Sequence, residues 1–384
     1  MDAAKQLFSW KDPYDLAGTD ELFVQAMREN CAFEYQRCPE YRNILDGLGF
    51  HPQQLQGMED LAVLPFLPTL FFKSHELYSM PKSRMPIKAT SSGTSGQMSH
   101  VGFDAPGLLC GLRMVLRVGG FHGLFSWRPA HYVVLGYQPH KGNQTAVTKT
   151  AFGATCFTPA LHREYALKYR EHGYELDLEG VSEALTRFSR SAFPTRFMGF
   201  PSYTYFLLSY LKERGMRLQL RPGSKIMLGG GWKQFYRQKV EKEVLYALAE
   251  EVLGVGEEDI VEFFGAVEHP ILYCDCRQHR FHVPVYSRVI IRDPDTFRPL
   301  PHGQMGLVNL LTPMTKSVPI LSVMTDDLGV LHDGGECGCG NPSPTLEIIG
   351  RVGLRDIRTC AAHAEEHLQA PPGGGVLGKG GSGA

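Results

Sequence analysis

Eleven consecutive residues, Ala89-Thr90-Ser91-Ser92-Gly93-Thr94-Ser95-Gly96-Gln97-Met98-Ser99, restrict the folding options of this chain more than any other stretch. Six of them are Ser or Thr, whose hydroxyls compete for the backbone hydrogen bonds that a helix needs. The two glycines, three positions apart, favour backbone angles that other residues avoid. The stretch therefore reads as a loop, either a solvated linker or a cradle whose N–H and O–H groups converge on one anion. Its place between hydrophobic segments favours the cradle, with phosphate oxygens as the occupant. It is not a Walker loop, because Gly-Lys-Ser/Thr is missing.

A chain of 384 residues can bury one large core or two. The formal net charge of −1 argues against a nucleic-acid partner. No apolar run approaches the roughly 20 residues of a membrane span, and Met1-Asp2-Ala3-Ala4-Lys5 lacks a signal-peptide core. Nine cysteines without an export signal predict the reducing cytoplasm.

Amphipathic helices are expected in the first 60 residues, where Leu22, Phe23, Ala26 and Met27 recur at helical spacing. Leu64-Pro65-Phe66-Leu67-Pro68 breaks that pattern, and Phe71-Phe72-Lys73 and Ile87-Lys88-Ala89 read as short strands leading to the Ser/Gly loop. Residues 107–260 alternate apolar strands (132–135, 225–228) with helices (203–214, 238–253), the pattern of an α/β layered fold with a mainly parallel sheet. Beyond 262 the chain becomes β-rich, as at 285–292 and 305–312. The last 14 residues, 371–384, contain seven glycines and two prolines and read as a disordered tail.

Several clusters carry chemistry. In Phe263-Phe264-Gly265-Ala266-Val267-Glu268 a hydrophobic strand ends in Gly and then a carboxylate, which suits either a helix N-terminus or Mg²⁺ beside a triphosphate. Thr325-Asp326-Asp327 follows an apolar strand at 319–323, where a carboxylate can accept both ribose hydroxyls or belong to an ordinary turn. Leu228-Gly229-Gly230-Gly231-Trp232-Lys233 joins a strand to a helix and reads as a plain turn or as a close backbone approach to a ligand, with Trp232 available for stacking. Cys276, His282, Cys337 and Cys339 offer three sulfurs and an imidazole, a set that suits tetrahedral Zn²⁺, or else reduced cysteines in β-turns. Cys274 and His279 are spare, since alternate strand residues face opposite sides. Cys360 lies close to Arg355 and Arg358, cations that lower a thiol's pKa; it reads as a nucleophile or as an inert thiol.

Taken in order, these motifs resemble the adenylate-forming superfamily of acyl and aryl ligases. Thr90 to Gln97 looks like its phosphate loop, and Phe264-Gly265-Ala266-Val267-Glu268 is similar to its aromatic-Gly-x-Thr-Glu motif, with Val267 in place of Thr. Thr325-Asp326-Asp327 is similar to Thr-Gly-Asp, and Gly350-Arg351 to the hinge Gly-Arg. Within the superfamily the chain resembles the acyl-protein synthetase branch, the LuxE family. Pro65-Phe66-Leu67-Pro68 with Phe72-Lys73, Gly229 to Lys233, Cys276 with Phe281-His282-Val283-Pro284, and Arg358-x-Cys360 carry that likeness, although Thr359 stands where the branch has Gly. It covers roughly residues 60–362.

The resemblance implies an adenylate-forming large domain over 1–350, with the zinc candidates in its β-rich part at 262–350. A residual C-terminal segment at 351–370 carries Cys360, and a tail follows at 371–384; the superfamily's mobile C-terminal domain is expected to be truncated. It also implies ATP and Mg²⁺ as cofactors, with a structural Zn²⁺ as in phenylacetate-type ligases. Thr90, Ser91, Ser92, Gly93, Thr94, Ser95 and Gly96 would hold phosphate, Glu268 magnesium and Asp327 the ribose. Arg351 would bind phosphate or ribose, and adenine would lie near Gly229, Gly230, Gly231, Phe264 and Gly265. Cys360, Glu268 and Lys73 are the expected catalytic residues. The substrate is expected to be a fatty or other carboxylic acid, with the acyl group passing through Cys360 to an acyl-accepting reductase or carrier protein. A phenylacetate-type CoA ligase, or an adenylating enzyme with another acceptor, is the alternative.

Overall fold

The computed structural model describes residues 2–90, 98–141, 143, 146–171, 173–232, 235 and 238–351. The chain opens with α1 (Ala3–Leu7), α2 (Asp20–Arg37) and α3 (Pro39–Gly47). Asp20 and Glu21 suit the positive end of α2, and Pro39 both ends that helix and starts the next. Phe23, Ala26 and Met27 are buried, as their spacing implies.

Strand β1 (Leu67–Pro68) is followed by a single helical turn, α4 (Phe71–Ser74), where sequence alternation suggested a strand. Phe71 and Phe72 are both buried in the core, so burial on two sides rather than strand alternation explains the apolar pair. The hairpin β2 (Ile87–Thr90) and β3 (His100–Phe103) pairs Thr90 with His100, so the Ser/Gly stretch connects its two strands. Helix α5 (Ala105–Phe121) begins one residue after β3.

A seven-stranded sheet comes next: β4 (Ala130–Tyr137), β5 (Ala160–Arg170), β6 (Gly173–Leu176), β7 (Thr195–Gly199), β8 (Lys225–Gly229), β9 (Ile260–Phe264) and β10 (Tyr273–Cys274). Its spatial order is β10-β9-β8-β7-β4-β5-β6, parallel across β9-β8-β7-β4-β5 and antiparallel at both edges. Helix α6 (Ala146–Ala154) lies on one face; α7 (Leu178–Ser189), α8 (Pro201–Glu213) and α9 (Lys242–Leu253) cover the other, where Leu185, Leu207, Leu211 and Val252 form a core. This is the expected α/β layering.

The second sheet is antiparallel: β11 (Phe281–His282), β12 (Arg288–Arg292), β13 (Met305–Leu311), β14 (Ser322–His332) and β15 (Thr345–Arg351), in the order β11-β15-β14-β13-β12. Strand β1 adds to β14 in parallel. The strand-rich character expected beyond 262 belongs to this sheet from Phe281 onward, since β9 and β10 complete the first one. A large core joins it to the N-terminal helices through Phe8, Phe23, Tyr286 and Val308.

Candidate active site and cysteine cluster

Strand β14 does not end before its carboxylates, as the sequence suggested; it runs through them. Between the pairs Leu307↔Leu328 and Asn309↔Met324, Val308 alone faces Thr325, Asp326 and Asp327. This bulge re-aims the side chains and keeps both acids in a rigid strand. Thr325 Oγ1 donates to the Val308 carbonyl at 3.1 Å and accepts from the Asp327 N–H at 3.2 Å. Gly329 follows because a Cβ there would meet the Glu347 carbonyl oxygen and Val308 Cγ2, each at 2.7 Å.

Asp327 faces Arg351 across β14 and β15, and Arg351 Nε donates to Asp327 Oδ1 at 3.0 Å. Burial raises the Asp327 pKa against the opposing pull of Arg351, and Asp326 adds repulsion. Arg351, its side chain 67% exposed, is itself raised: desolvation opposes its charge, but Asp327, Asp326 and Glu268 together prevail. Two adjacent acids and a third from a distant segment thus act on one guanidinium.

Glu268 follows the turn after β9 and is buried, with Ser99 Oγ donating to its Oε1. Burial raises its pKa, Ser99 and Lys73 work the other way, and Asp326 reinforces the rise. Ser99 lies immediately before β3, so this bond ties the base of the Ser/Gly hairpin to the Phe264-to-Glu268 motif. Lys73 is half-buried, and its backbone N–H donates to the Leu70 carbonyl at 3.1 Å. It arrives through β1: Thr69 N–H donates to the Met324 carbonyl at 2.9 Å, and Thr69 Oγ1 to Asp326 Oδ1.

Gly229 and Phe263 are register partners on neighbouring strands, placing Gly229 to Gly231 beside Phe264 and Gly265. Gly230 and Gly231 have φ of 78° and 66°, angles that favour glycine. Trp232 is not free to stack on a ligand; it is buried, with its ring 5.8 Å from that of Tyr205. Thr90 is half-buried at the hairpin base. Ser91, Ser92, Gly93, Thr94, Ser95, Gly96 and Cys360 lie outside the described residues. Sequence reasoning missed Ser99, Thr69 and Asp326. The only signal for the first two was a hydroxyl flanking a motif, a common feature.

At the junction of the two sheets, the ligand atoms of Cys276, His282, Cys337 and Cys339 lie within 4.8 Å of one another. Cys276 and Cys337 sulfurs are 3.4 Å apart, and His282 Nε2 is 3.1 Å from Cys339 Sγ. Around a tetrahedral zinc with Zn–S of about 2.3 Å, sulfurs stand about 3.8 Å apart, so this donor set fits. His282 Nδ1 lies 2.7 Å from the buried Ser343 carbonyl, a contact that places the ring proton on Nδ1 and leaves Nε2 for a metal. Gly338 and Gly340, with φ of 71° and 90°, let the Cys-Gly-Cys turn fold back. Burial works to raise the Cys276 thiol, but His282, backbone groups at Arg280 and Gln278, and Cys337 hold it below the usual range. Burial, Cys276 and Cys339 push Cys337 up to about 12. Cys274 and His279 are outside the cluster; His279 Nδ1 is 2.7 Å from Asp275.

The layered sheets have the fold of adenylate-forming ligases, and within it the base of the Ser/Gly hairpin, the buried Glu268 and the Asp327–Arg351 pair stand together. The crystal structure of 2-hydroxyisobutyryl-CoA ligase with 2-HIB-AMP superposes with a TM-score of 0.67 at 17% identity, over 89% of this chain and 70% of that one. The signature of the acyl-protein synthetase, LuxE, family matches residues 6–369, and the chain belongs to that family. It is an ATP-dependent enzyme that forms acyl-adenylates. The long-chain-fatty-acid–luciferin-component ligase of Vibrio harveyi is 27% identical over 366 residues, 94% of this chain and 92% of its own. The phenylacetate-coenzyme A ligase of Thermus thermophilus is 25% identical, over 91% of this chain and 75% of its own. No helix among the described residues is long and apolar enough to cross a membrane.

Proposed function

We propose that the enzyme activates a long-chain fatty acid and then takes the acyl group onto its own Cys360 as a thioester, for delivery to a reductase or carrier protein. A carboxylate oxygen attacks the α-phosphorus of ATP, the bond to pyrophosphate breaks, and acyl-adenylate remains. Ser91, Ser92, Thr94 and Ser95 hold the departing pyrophosphate through their N–H and O–H groups, with Gly93 and Gly96 allowing close approach. Asp327 accepts the ribose hydroxyls, and Arg351 orients that carboxylate while offering its remaining N–H groups to phosphate. Gly229 to Gly231 and Phe264-Gly265 flank the adenine. Lys73, whose charge is felt by Glu268, neutralises negative charge where the carboxylate meets phosphate.

Glu268 is the residue suited to Mg²⁺, which supplies charge neutralisation on the phosphates. The cysteine cluster is suited to a structural Zn²⁺ that staples the two sheets. In the second step the Cys360 thiolate attacks the acyl carbon and AMP leaves, its proton balance unchanged because the thiol has already ionised.

The observation that carries the reading is the convergence of Glu268, Asp326, Asp327, Arg351 and Lys73 from four separate parts of the chain. The test is pyrophosphate–ATP exchange across a panel of carboxylic acids, followed by labelling with a radioactive acid. Long-chain acids should drive exchange, and wild type should carry a thiol-labile label that Cys360→Ser loses while keeping exchange. Labelling unchanged in Cys360→Ser overturns the cysteine role; absence of acid-dependent exchange overturns the whole reading. The likeness to phenylacetate-coenzyme A ligases supports a second reading, marked by CoA-dependent release of AMP.

A further inference from the structure

The outward face of α5 is apolar. Cys110, Met114 and Val118 point into the core, whereas Leu109, Leu112 and Leu116 are 43%, 56% and 53% exposed. Spacings of three and four set those leucines in one row along the helix. Phe121, at the end of α5, is 55% exposed, and Trp127, in the following loop, 95%.

The tryptophan is held out by anchored neighbours. Leu124 is buried, with its N–H bonded to the Gly119 carbonyl at 2.8 Å. Phe125 packs edge-on to Phe157 at 5.1 Å, and Arg128 Nη2 donates to the Ala192 carbonyl at 2.9 Å. An ordered loop presenting a bare indole beside a leucine row is the composition of an interfacial membrane contact.

Charge selects the occupant. From Ala105 to Arg163 the sequence has no Asp or Glu, while it has Arg113, Arg117, Arg128, Lys141, Lys149 and Arg163. Arg113, half-buried, and Arg117, exposed, lie on α5 beside the leucine row. A two-fold pairing of this face with a second copy would set two stretches that carry cations and no acids against each other. Anionic headgroups meet both features at once. With 17 residues, α5 is too short to span a bilayer, so it would lie in the interface.

We propose that α5 and Trp127 dock this enzyme on an anionic lipid surface. Asp104 alone separates α5 from β3, so the docking helix is continuous with the hairpin that carries the Ser/Gly loop. A water-insoluble acyl substrate would then meet its activating site at the membrane. That use rests on the fatty-acid reading, whereas the docking itself does not.

The test is co-sedimentation of the full chain with phosphatidylcholine vesicles, pure or mixed equally with phosphatidylglycerol. Binding is expected on the mixed vesicles, weakened by salt and reduced at least about tenfold in Leu112→Glu/Leu116→Glu. Pyrophosphate exchange with a soluble acid should be unchanged in that variant, which also reports that it has folded. Brominated lipids should quench wild-type tryptophan fluorescence, and Trp127→Phe, a conservative change, should remove that quenching. Equal binding by wild type and the double variant, or no binding to mixed vesicles, overturns the proposal. So does a wild-type oligomer that ignores vesicles and becomes monomeric in the double variant, which would assign the row to self-association. Failure of acid-dependent exchange with vesicle binding intact would count against the fatty-acid reading and leave docking standing.

Discussion

Asp327 and Arg351 stand directly opposite each other on β14 and β15, joined by a 3.0 Å hydrogen bond from Nε to Oδ1. The arginine thereby fixes the carboxylate's orientation from the last described strand. Asp327→Asn should raise the KM for ATP about tenfold to a hundredfold, the range for a lost charged hydrogen bond. Arg351→Lys cannot reproduce the planar donor and should show a smaller rise. ATP-dependence curves of pyrophosphate exchange will measure both, and unchanged curves would remove Asp327 from nucleotide binding.

Glu268 is buried beneath Ser99, within reach of Lys73 and Asp326. Glu268→Gln keeps the shape and removes the charge. Exchange should fall by about two orders of magnitude, and the magnesium needed for half-maximal rate should rise. Ser99→Ala should show the second effect with a smaller first one, because it frees the carboxylate to turn. A magnesium titration of each variant settles the matter.

The cysteine cluster should hold one zinc per chain by elemental analysis. Metal removal by a chelator, or His282→Ala, should lower the melting temperature by about 5 °C or more, because the site joins β11, the β10 connection and the Cys-Gly-Cys turn. A metal-free protein with an unshifted melting temperature would refute the staple.

Glu34 lies on α2, buried, with neither carboxylate oxygen hydrogen-bonded among the described residues. Burial raises its pKa well above the ordinary Glu range, Asp104 adds to the rise, and Lys316 opposes it. The folded chain therefore keeps a proton that the unfolded chain has released, so this group's contribution to stability falls as pH climbs above that range. The slope is at most about 1.4 kcal/mol per pH unit. Glu34→Gln cannot ionise and should flatten the melting-temperature profile as pH rises above the ordinary Glu range. Parallel profiles for the two proteins would show that Glu34 titrates normally.

Residue chemistry and spacing made the layered α/β class, the order of the motifs and the donor set of the cysteine cluster legible in the sequence. These are local properties: strand and helix periods, glycine at left-handed turns, and side chains able to bind phosphate or metal. Tertiary structure alone decided that Asp326 and Asp327 sit inside a bulged strand, that Thr69 and Ser99 buttress Asp326 and Glu268, and that Lys73 leaves a helical turn beside them. It also buried Trp232 against Tyr205 and left the α5 leucines bare. Those outcomes depend on which distant segments share a strand edge or a core, and hydrophobic burial is indifferent to sequence separation.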